Sequence, residues 1–229
     1  MDFQQPLSFR SETHPMVVGV VDSEQDFKSI FSEKPACDIL EIRLDCLGIN
    51  LLEENALPLP ALITCRRADE GGSGSLPDGR RSEIIEDALR YASAADIEVR
   101  SLEALEKTVE LCRSSGVPVI ASAHDFENVP PDSELEETVQ RAIGGGASVC
   151  KIAATPGSLR DVCRLAELLE PGRFTIPLSV MGMGRFGRAS RLLFAQAGSV
   201  LNYGYLTRAN VPGQWPAEQL RKLLDGGDL

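Results

Sequence analysis

The sequence predicts an α/β fold, a (β/α)₈ TIM barrel in a single domain, and three observations support this prediction. Short apolar runs rich in β-branched residues recur along the 229 residues. Most consecutive runs are separated by a segment with helical periodicity. This alternation implies parallel strands with right-handed crossovers, and eight such units at this length favour a closed barrel. An open doubly wound sheet remains the alternative.

Eight strands are predicted, each from a short apolar run, and they are joined by helical segments. The strands lie near residues 16–21, 38–44, 61–66, 96–99, 118–124, 148–153, 175–180 and 200–204. Helical periodicity occupies residues 82–94, 101–115, 132–143, 158–169, 189–197 and 216–224, and residues 23–32 and 51–57 supply two shorter crossovers. We interpret residues 1–15 as an amino-terminal arm and residues 16–229 as one barrel domain, because no Pro/Ser-rich linker divides the chain.

The composition excludes several classes of function. Acidic residues outnumber lysine and arginine by 34 to 23, and the resulting net charge of −11 argues against nucleic acid, whose phosphates require a basic face. No stretch reaches the ~18 uninterrupted apolar residues of a membrane span, and the first residues lack a signal-peptide pattern. We therefore expect a cytoplasmic protein with neither a membrane nor a nucleic-acid partner.

Cysteine and histidine usage indicates neither a disulfide framework nor a metal site. The six cysteines include no C-x-x-C pair, and the chain has two histidines. We expect scattered buried thiols and no bound metal.

Lys151 is the most informative single residue, because it lies within the apolar run 148–154 of a predicted buried strand. Desolvation disfavours an ammonium ion and lowers its pKa, so that a buried amine can add to a ketone and form an imine at neutral pH. A strand lysine more often extends its charge to the rim or pairs with a carboxylate. The segment alone leaves both interpretations open.

Side-chain alternation places the polar strand residues on one face of the sheet. Strand residues point alternately to opposite faces, and the helix-facing side of a barrel must be apolar. The polar residues should therefore face inward and meet near the carboxyl ends of the strands, where barrel enzymes have their active sites. These residues are Glu41, Arg43 and Asp45; Thr64 and Arg66; Asp96 and Glu98; Ser122 and His124; and Lys151.

Three loops add candidate site residues at the same end of the barrel. Glu70, in the loop after the third strand, is expected to reach across the mouth to a neighbour such as His124. The glycine- and arginine-rich loop 181–191 suits either a phosphate or a carboxylate. The loop 207–215 contains a Pro-Gly pair, which is typical of a hinged lid and equally of an ordinary turn.

Six motifs in order, covering nearly the whole chain from Met16, together resemble the type I 3-dehydroquinate dehydratases, the Schiff-base enzymes of the shikimate pathway. The resemblance implies a (β/α)₈ fold, no cofactor or metal, usually a homodimer, and conversion of 3-dehydroquinate to 3-dehydroshikimate with loss of water. The motifs are Glu41-x-Arg43-x-Asp45, Arg66 followed by Glu70-Gly71-Gly72, Ser122-Ala123-His124-Asp125-Phe126, Lys151-Ile152-Ala153, Ser190-Arg191 and Pro212-Gly213-Gln214.

The resemblance also implies a role for each matching residue. Lys151 corresponds to the imine-forming lysine, His124 to the general acid/base and Glu70 to the acid that orients the histidine. Arg191 corresponds to the arginine that binds the substrate carboxylate. The remaining matches, which bind hydroxyl groups or line the pocket, are Glu41, Arg43, Arg66 and Gln214. Asn210 stands where the family usually has a lid serine, and we expect it to contact the substrate through its amide.

Two other functions remain compatible with the residues. One is an imine-forming aldolase that binds a sugar phosphate through residues 182–187. The other is a catalytically silent barrel that binds a carboxylate metabolite. The presence of Lys151, His124 and Glu70 together argues against the silent barrel, because a binding protein needs no base beside an amine.

Overall fold

One curled sheet of parallel strands forms the wall of the barrel and confirms the predicted fold class. The computed structural model describes Leu7, Phe9 and residues 15–226. Within these residues there are nine strands: β1 (Met16–Val21), β2 (Ile39–Arg43), β3 (Ala61–Thr64), β4 (Ala94–Glu98), β5 (Val119–Asp125), β6 (Val149–Ala154), β7 (Leu178–Gly182), β8 (Leu201–Tyr205) and β9 (Trp215–Pro216). The order across the sheet is β7-β6-β5-β4-β3-β2-β1-β8-β9.

The two ends of this sheet meet at the seam between β7 and β8. Val200 N donates a hydrogen bond to Leu178 O (3.0 Å). Serine hydroxyls bridge the rest of the seam: Ser179 Oγ donates to Leu201 O (2.7 Å), and Ser199 Oγ accepts from Val180 N (3.0 Å). The short strand β9, which was not predicted, pairs with the carboxyl end of β8 beside this seam.

The helices cover the outside of the sheet. Their bounds are α1 (Glu24–Ser32), α2 (Leu44–Leu47), α3 (Asn50–Glu54), α4 (Asp78–Ala88), α5 (Glu106–Ser114), α6 (Asp132–Gly144), α7 (Leu159–Glu167), α8 (Gly187–Gln196) and α9 (Ala217–Leu224). The predicted start of the fifth helix at residue 101 is wrong. Ser101 ends a 3₁₀ turn, and its hydroxyl accepts hydrogen bonds from Arg67 and Arg81 instead of capping a helix.

Other boundaries also differ from the prediction. The helix predicted at 82–94 ends at Ala88, so that β4 begins at Ala94 instead of residue 96. The seventh strand begins at Leu178 rather than at residue 175. Asp45 lies in α2, two residues beyond the end of the strand on which it was placed.

Strand alternation divides the core into two layers. Side chains such as Val18, Ile39 and Ile120 pack inside the barrel, while Val17 and Leu40 belong to the larger layer between strands and helices. The inward positions are apolar near the amino ends of the strands and become polar toward the carboxyl ends. This gradient places the charged residues at one mouth of the barrel.

The predicted arm, residues 1–15, lies mostly outside the described residues. Of its described members, Phe9 is buried in the interior cluster, and Leu7 N donates to Ser93 O (3.3 Å) just before β4. In the part of the chain that the structure describes, no helix has the length and apolarity needed to cross a membrane.

Candidate active site

A cavity of about 370 Å³ opens at the carboxyl ends of the strands. All nine residues proposed from the sequence as site residues line it: Glu41, Arg43, Arg66, Glu70, His124, Lys151, Arg191, Asn210 and Gln214. Because neighbouring parallel strands end at the same edge, residues far apart in sequence converge here.

Lys151 is buried on β6, with its amine held between carboxylates and an aromatic ring. Nζ lies 3.3 Å from Asp96 Oδ2, 3.9 Å from Glu41 Oε1 and 4.2 Å from the centroid of the Tyr203 ring. Burial lowers the pKa of the Lys151 amine, and Arg66 adds to this effect, whereas Asp96 and Glu41 oppose it. The surroundings thus favour a larger fraction of neutral amine than an exposed lysine has, which is what a nucleophile requires.

Arg66 connects the carboxylates beneath the cavity. Its guanidinium lies 2.8 Å from Asp96 and 3.0 Å from Glu98, and it donates to Ser122 Oγ (2.6 Å). Burial alone would lower the pKa of Arg66, but Asp96 and Glu98 raise it well above its usual value. The pKa of Asp96 is held below its usual range, because Arg66 and Lys151 outweigh the effect of its burial. Arg66 therefore remains a fixed cation.

His124 and Glu70 form a hydrogen-bonded pair at the mouth. Glu70 Oε2 lies 2.9 Å from His124 Nδ1 and accepts from its backbone N at 3.0 Å, while Oε1 lies 3.1 Å from Arg100 Nε. Burial, together with Arg66 and Lys151, holds the pKa of His124 well below its usual value. A neutral imidazole that donates from Nδ1 to Glu70 has its lone pair on Nε2, where it can act as a base.

The Glu-Gly-Gly turn explains how Glu70 reaches the histidine. Gly71 has φ of 85°, in the left-handed region that favours glycine. A Cβ atom on Gly72 would lie 2.2 Å from Arg66 O, so that the chain turns back tightly against its own strand end. This turn brings Glu70 over β5.

Arg191, near the start of α8, is a buried cation on the opposite side of the cavity. Its Nη1 donates to Tyr203 O (2.9 Å) and lies 3.7 Å from Met181 Sδ, and its Nε has no hydrogen-bond partner among the described residues. Among the same residues no carboxylate offsets the effect of burial on this guanidinium. Burial lowers the pKa of Arg191 to about 10. A buried guanidinium without an anion is poised to bind one.

Glu41 and Arg43 form the β2 side of the cavity. Glu41 Oε1 accepts from Thr64 Oγ1 (2.9 Å). Arg43 makes a two-point ion pair with Asp45, at 2.9 and 2.7 Å, and donates to Gly71 O (3.0 Å). Asp45 is thus occupied with holding Arg43 and the β3 loop in place.

The loop after β8 closes the cavity on the side of β1. Asn210 Nδ2 donates to Asp22 Oδ2 (2.8 Å), and Gln214 Oε1 lies 3.4 Å from Asn210 N. Gly184 N donates to Pro212 O (2.9 Å), which holds this loop against the one after β7. The loop that carries Asn210 and Gln214 is therefore held by contacts with two other loops, those after β1 and β7.

Several residues that line the cavity were not proposed from the sequence. Tyr203, on β8, is buried with its hydroxyl lacking a hydrogen-bond partner within residues 15–226. The ring of Phe126 stacks near His124, at 6.3 Å between centroids and 14° between planes. Further members of the lining are Asp22, Cys46, Ser73, Met181, Met183 and Val211. Among the described residues, no group of three His, Cys, Asp or Glu side chains could hold a metal ion.

Comparison with known proteins points to one family. A model of the type I 3-dehydroquinase family matches residues 18–226. The 3-dehydroquinate dehydratases of Methanococcoides burtonii and Methanothrix thermoacetophila are 29% and 32% identical to the chain, over 95% and 90% of its length and 97% and 89% of theirs. The crystal structure of 3-dehydroquinate dehydratase from Geobacillus kaustophilus superposes with a TM-score of 0.82 at 27% identity, covering 93% of this chain and 91% of that one.

Proposed function

The chain belongs to the type I 3-dehydroquinase family, and we propose that Lys151, His124 and Glu70 carry out its chemistry. The chain is a hydro-lyase that removes water from 3-dehydroquinate to give 3-dehydroshikimate, a step of the shikimate pathway toward the aromatic amino acids. The contacts and charges around these residues support the proposed roles.

Lys151 begins the reaction as the nucleophile. Its neutral amine adds to the substrate ketone carbon, and the resulting carbinolamine takes up one proton from solvent and loses water to form an iminium ion bonded to Nζ. The iminium withdraws electrons and acidifies the neighbouring C–H bond. Asp96, at 3.3 Å from Nζ, stabilises this cation while the substrate is covalently attached.

His124 transfers the proton in the elimination. Nε2 removes the proton from the carbon next to the imine, and the C–H electron pair forms an enamine. The enamine expels the β-hydroxyl, which takes the proton from Nε2 and leaves as water. Hydrolysis of the iminium then consumes one water, frees the product, returns one proton to solvent and restores the neutral amine of Lys151. Proton transfer of this kind contributes about 10² to 10⁴ in rate, so covalent activation and positioning supply the rest.

Arg191 binds the substrate carboxylate in this proposal, and its lack of a carboxylate partner is the observation that most supports the substrate class. Lys151 and His124 face the same cavity from the adjacent strands β6 and β5. Lys151 pairs with Ser122 and His124 pairs with Ala153, so that the two side chains are offset by two residues along the strands. A substrate whose carboxylate binds Arg191 would place its ring between Lys151 and His124.

The proposal is tested by mixing the purified protein with 3-dehydroquinate and following the ultraviolet absorbance of the conjugated enone product. Borohydride added during turnover should fix a covalent adduct, which mass spectrometry of peptides locates at Lys151. Product formation without an adduct would contradict the imine mechanism. An adduct at another lysine would contradict the assignment of Lys151.

We further propose a homodimer of single-domain subunits in the cytoplasm. The family resemblance implies the dimer, and six free cysteines suit a reducing compartment. Sedimentation equilibrium would measure the subunit number directly.

A further inference from the structure

Arg81 is a fully buried cation outside the cavity. It lies on α4, with 0% of its surface exposed, and is one of the largest buried side chains of the protein. Nε donates to Cys65 O (2.9 Å), Nη1 pairs with Asp78 (2.7 Å) and Nη2 pairs with Glu98. An arginine on a barrel helix ordinarily extends to solvent, so complete burial with all three guanidinium nitrogens bonded to protein groups requires a reason.

The ion pairs of Arg81 continue into the active site. Glu98, the last residue of β4, receives Arg81 on one carboxylate oxygen, and on the other it receives Arg66 (3.0 Å) and the backbone N of Arg67 (2.9 Å). Arg66 lies 2.8 Å from Asp96, and Asp96 lies 3.3 Å from the amine of Lys151. Charges alternate in sign along the whole series from α4 to the proposed nucleophile.

The charge balance of this series depends on Arg81. Its buried members comprise three cations and three anions when Lys151 is protonated: Arg81, Arg66 and Lys151 against Glu98, Asp96 and Glu41. Once Lys151 is neutral, one negative charge is in excess. Without Arg81 that excess would be two, and the ammonium form would be favoured more strongly.

We propose that Arg81 is a positioning residue for the reaction, which holds Glu98 and Arg66 in place and balances the buried charge so that Lys151 is available as a neutral amine. It touches neither the cavity nor the substrate. This inference rests on the imine chemistry proposed for Lys151.

Charged and titratable groups face both ends of this series, including members of the series itself. Around Lys151 these are Asp96 on β4, Glu41 on β2, Arg66 after β3, His124 on β5 and Tyr203 on β8. Around Arg81 they are Asp78 on α4, Glu98 on β4, Cys65 after β3, and Arg67, which also contacts Asp78 and Ser101.

The experiment measures how fast 3-dehydroquinate forms the borohydride-trapped adduct as a function of pH, in four variants beside the wild type. Arg81→Met removes the cation, Glu98→Gln removes the anion it meets, and the double variant removes both. Arg81→Lys keeps the charge but loses the planar fork. Thermal unfolding of each variant records its stability separately.

Opposite shifts are expected from the two single variants. Arg81→Met should move the apparent pKa of adduct formation upward by roughly half a unit to one unit, and Glu98→Gln should move it downward by a similar amount. The double variant and Arg81→Lys should lie within about 0.3 units of the wild type, whatever their stability. A structural role alone would lower stability and leave all four pH profiles unchanged.

Unchanged profiles, or shifts in the same direction for both single variants, would overturn the inference. If Arg81→Met does not fold, the other two profiles decide: Glu98→Gln should still shift the apparent pKa downward, and the double variant should still match the wild type. Failure of the wild type to form any adduct would instead overturn the proposed function, so the two failures are distinguishable.

Discussion

A single oxygen of Glu70 receives both the backbone N–H and the Nδ1 side of His124, at 3.0 and 2.9 Å. Two contacts from one residue fix the rotation of the imidazole as well as its tautomer, and they direct Nε2 toward the cavity. Glu70 is itself held by Arg100 through its second oxygen. Orientation of the base therefore depends on a carboxylate that the Glu-Gly-Gly turn brings in from the neighbouring loop.

Glu70→Gln should reduce kcat by roughly 10- to 100-fold, the usual effect of removing an orienting partner, with a smaller change in KM. Burial raises the pKa of Glu70 to about 7. A carboxyl group with a raised folded-state pKa contributes stability below about pH 4.5 that is lost as the pH rises through about 7. The free energy of unfolding of the variant, relative to that of the wild type, should therefore increase between pH 5 and pH 8, as measured by urea denaturation.

Glu127→Gln is the matched control for this experiment, because Glu127 is exposed on the loop after β5. It should leave both kcat and the pH dependence of stability unchanged. If the free energies of unfolding of the wild type and Glu70→Gln change with pH in the same way, burial does not raise the pKa of Glu70 as assigned.

Lys151→Ala should abolish the borohydride-trapped adduct completely and lower turnover to near background, because no other described amine lines the cavity. Intact-mass spectrometry after reduction gives the measurement. Lys107→Ala removes an exposed lysine on α5 and should trap as much adduct as the wild type. A persistent adduct in Lys151→Ala would exclude this lysine as the nucleophile.

His124→Ala should separate imine formation from elimination. The adduct should still form, whereas the elimination, and with it product formation, should slow by about 10² to 10⁴, the range typical for loss of a general acid/base. Stopped-flow absorbance and trapping on the same sample measure the two steps. Turnover at the wild-type rate would refute the role of His124.

Much of the cavity could be predicted from strand alternation alone. Lys151 has apolar residues on both sides in sequence, while His124 follows Ala123 and Arg66 follows Cys65. These apolar residues are expected to face the helices, which leaves the inside of the barrel for the polar side chains. The structure has all three on that side. The alternation of side chains between the two faces of a strand is a local property, so it can be read from a single sequence.

Residues whose function depends on distant partners could not be predicted in this way. Tyr203 lies in an apolar strand and is typical of a core residue until its ring is seen beside the amine of Lys151. Arg81 belongs to a charged helix, where a solvent-facing side chain is expected. Its contacts with Cys65 and Glu98 come from two other elements, which no local pattern connects.

The Tyr203 ring and hydroxyl can be tested separately. Tyr203→Leu removes the ring that lies 4.2 Å from Nζ. The amount of trapped iminium adduct should fall by roughly 3- to 30-fold, the range of a partly desolvated cation–π contact. Tyr203→Phe keeps the ring and should form the adduct within about twofold of the wild type. It should also raise the free energy of unfolding by about 1 kcal/mol, because it removes a buried hydroxyl without a partner. Equal adduct levels in all three proteins would contradict the role of the ring.

Arg191→Met should show opposite effects on binding and on stability. Loss of a charge-assisted contact to the substrate carboxylate should lower kcat/KM by roughly 10²- to 10³-fold, mostly through KM. The free protein should nevertheless become more stable, because burial without a carboxylate disfavours this guanidinium, as its lowered pKa of about 10 indicates. Thermal unfolding with and without 3-dehydroquinate measures both effects: the wild type should gain stability on binding and the variant should gain little. Arg185→Met, which removes an exposed arginine from the loop before α8, should behave as the wild type in both measurements. A variant that loses stability while keeping its KM would show that Arg191 supports the fold instead of binding the substrate.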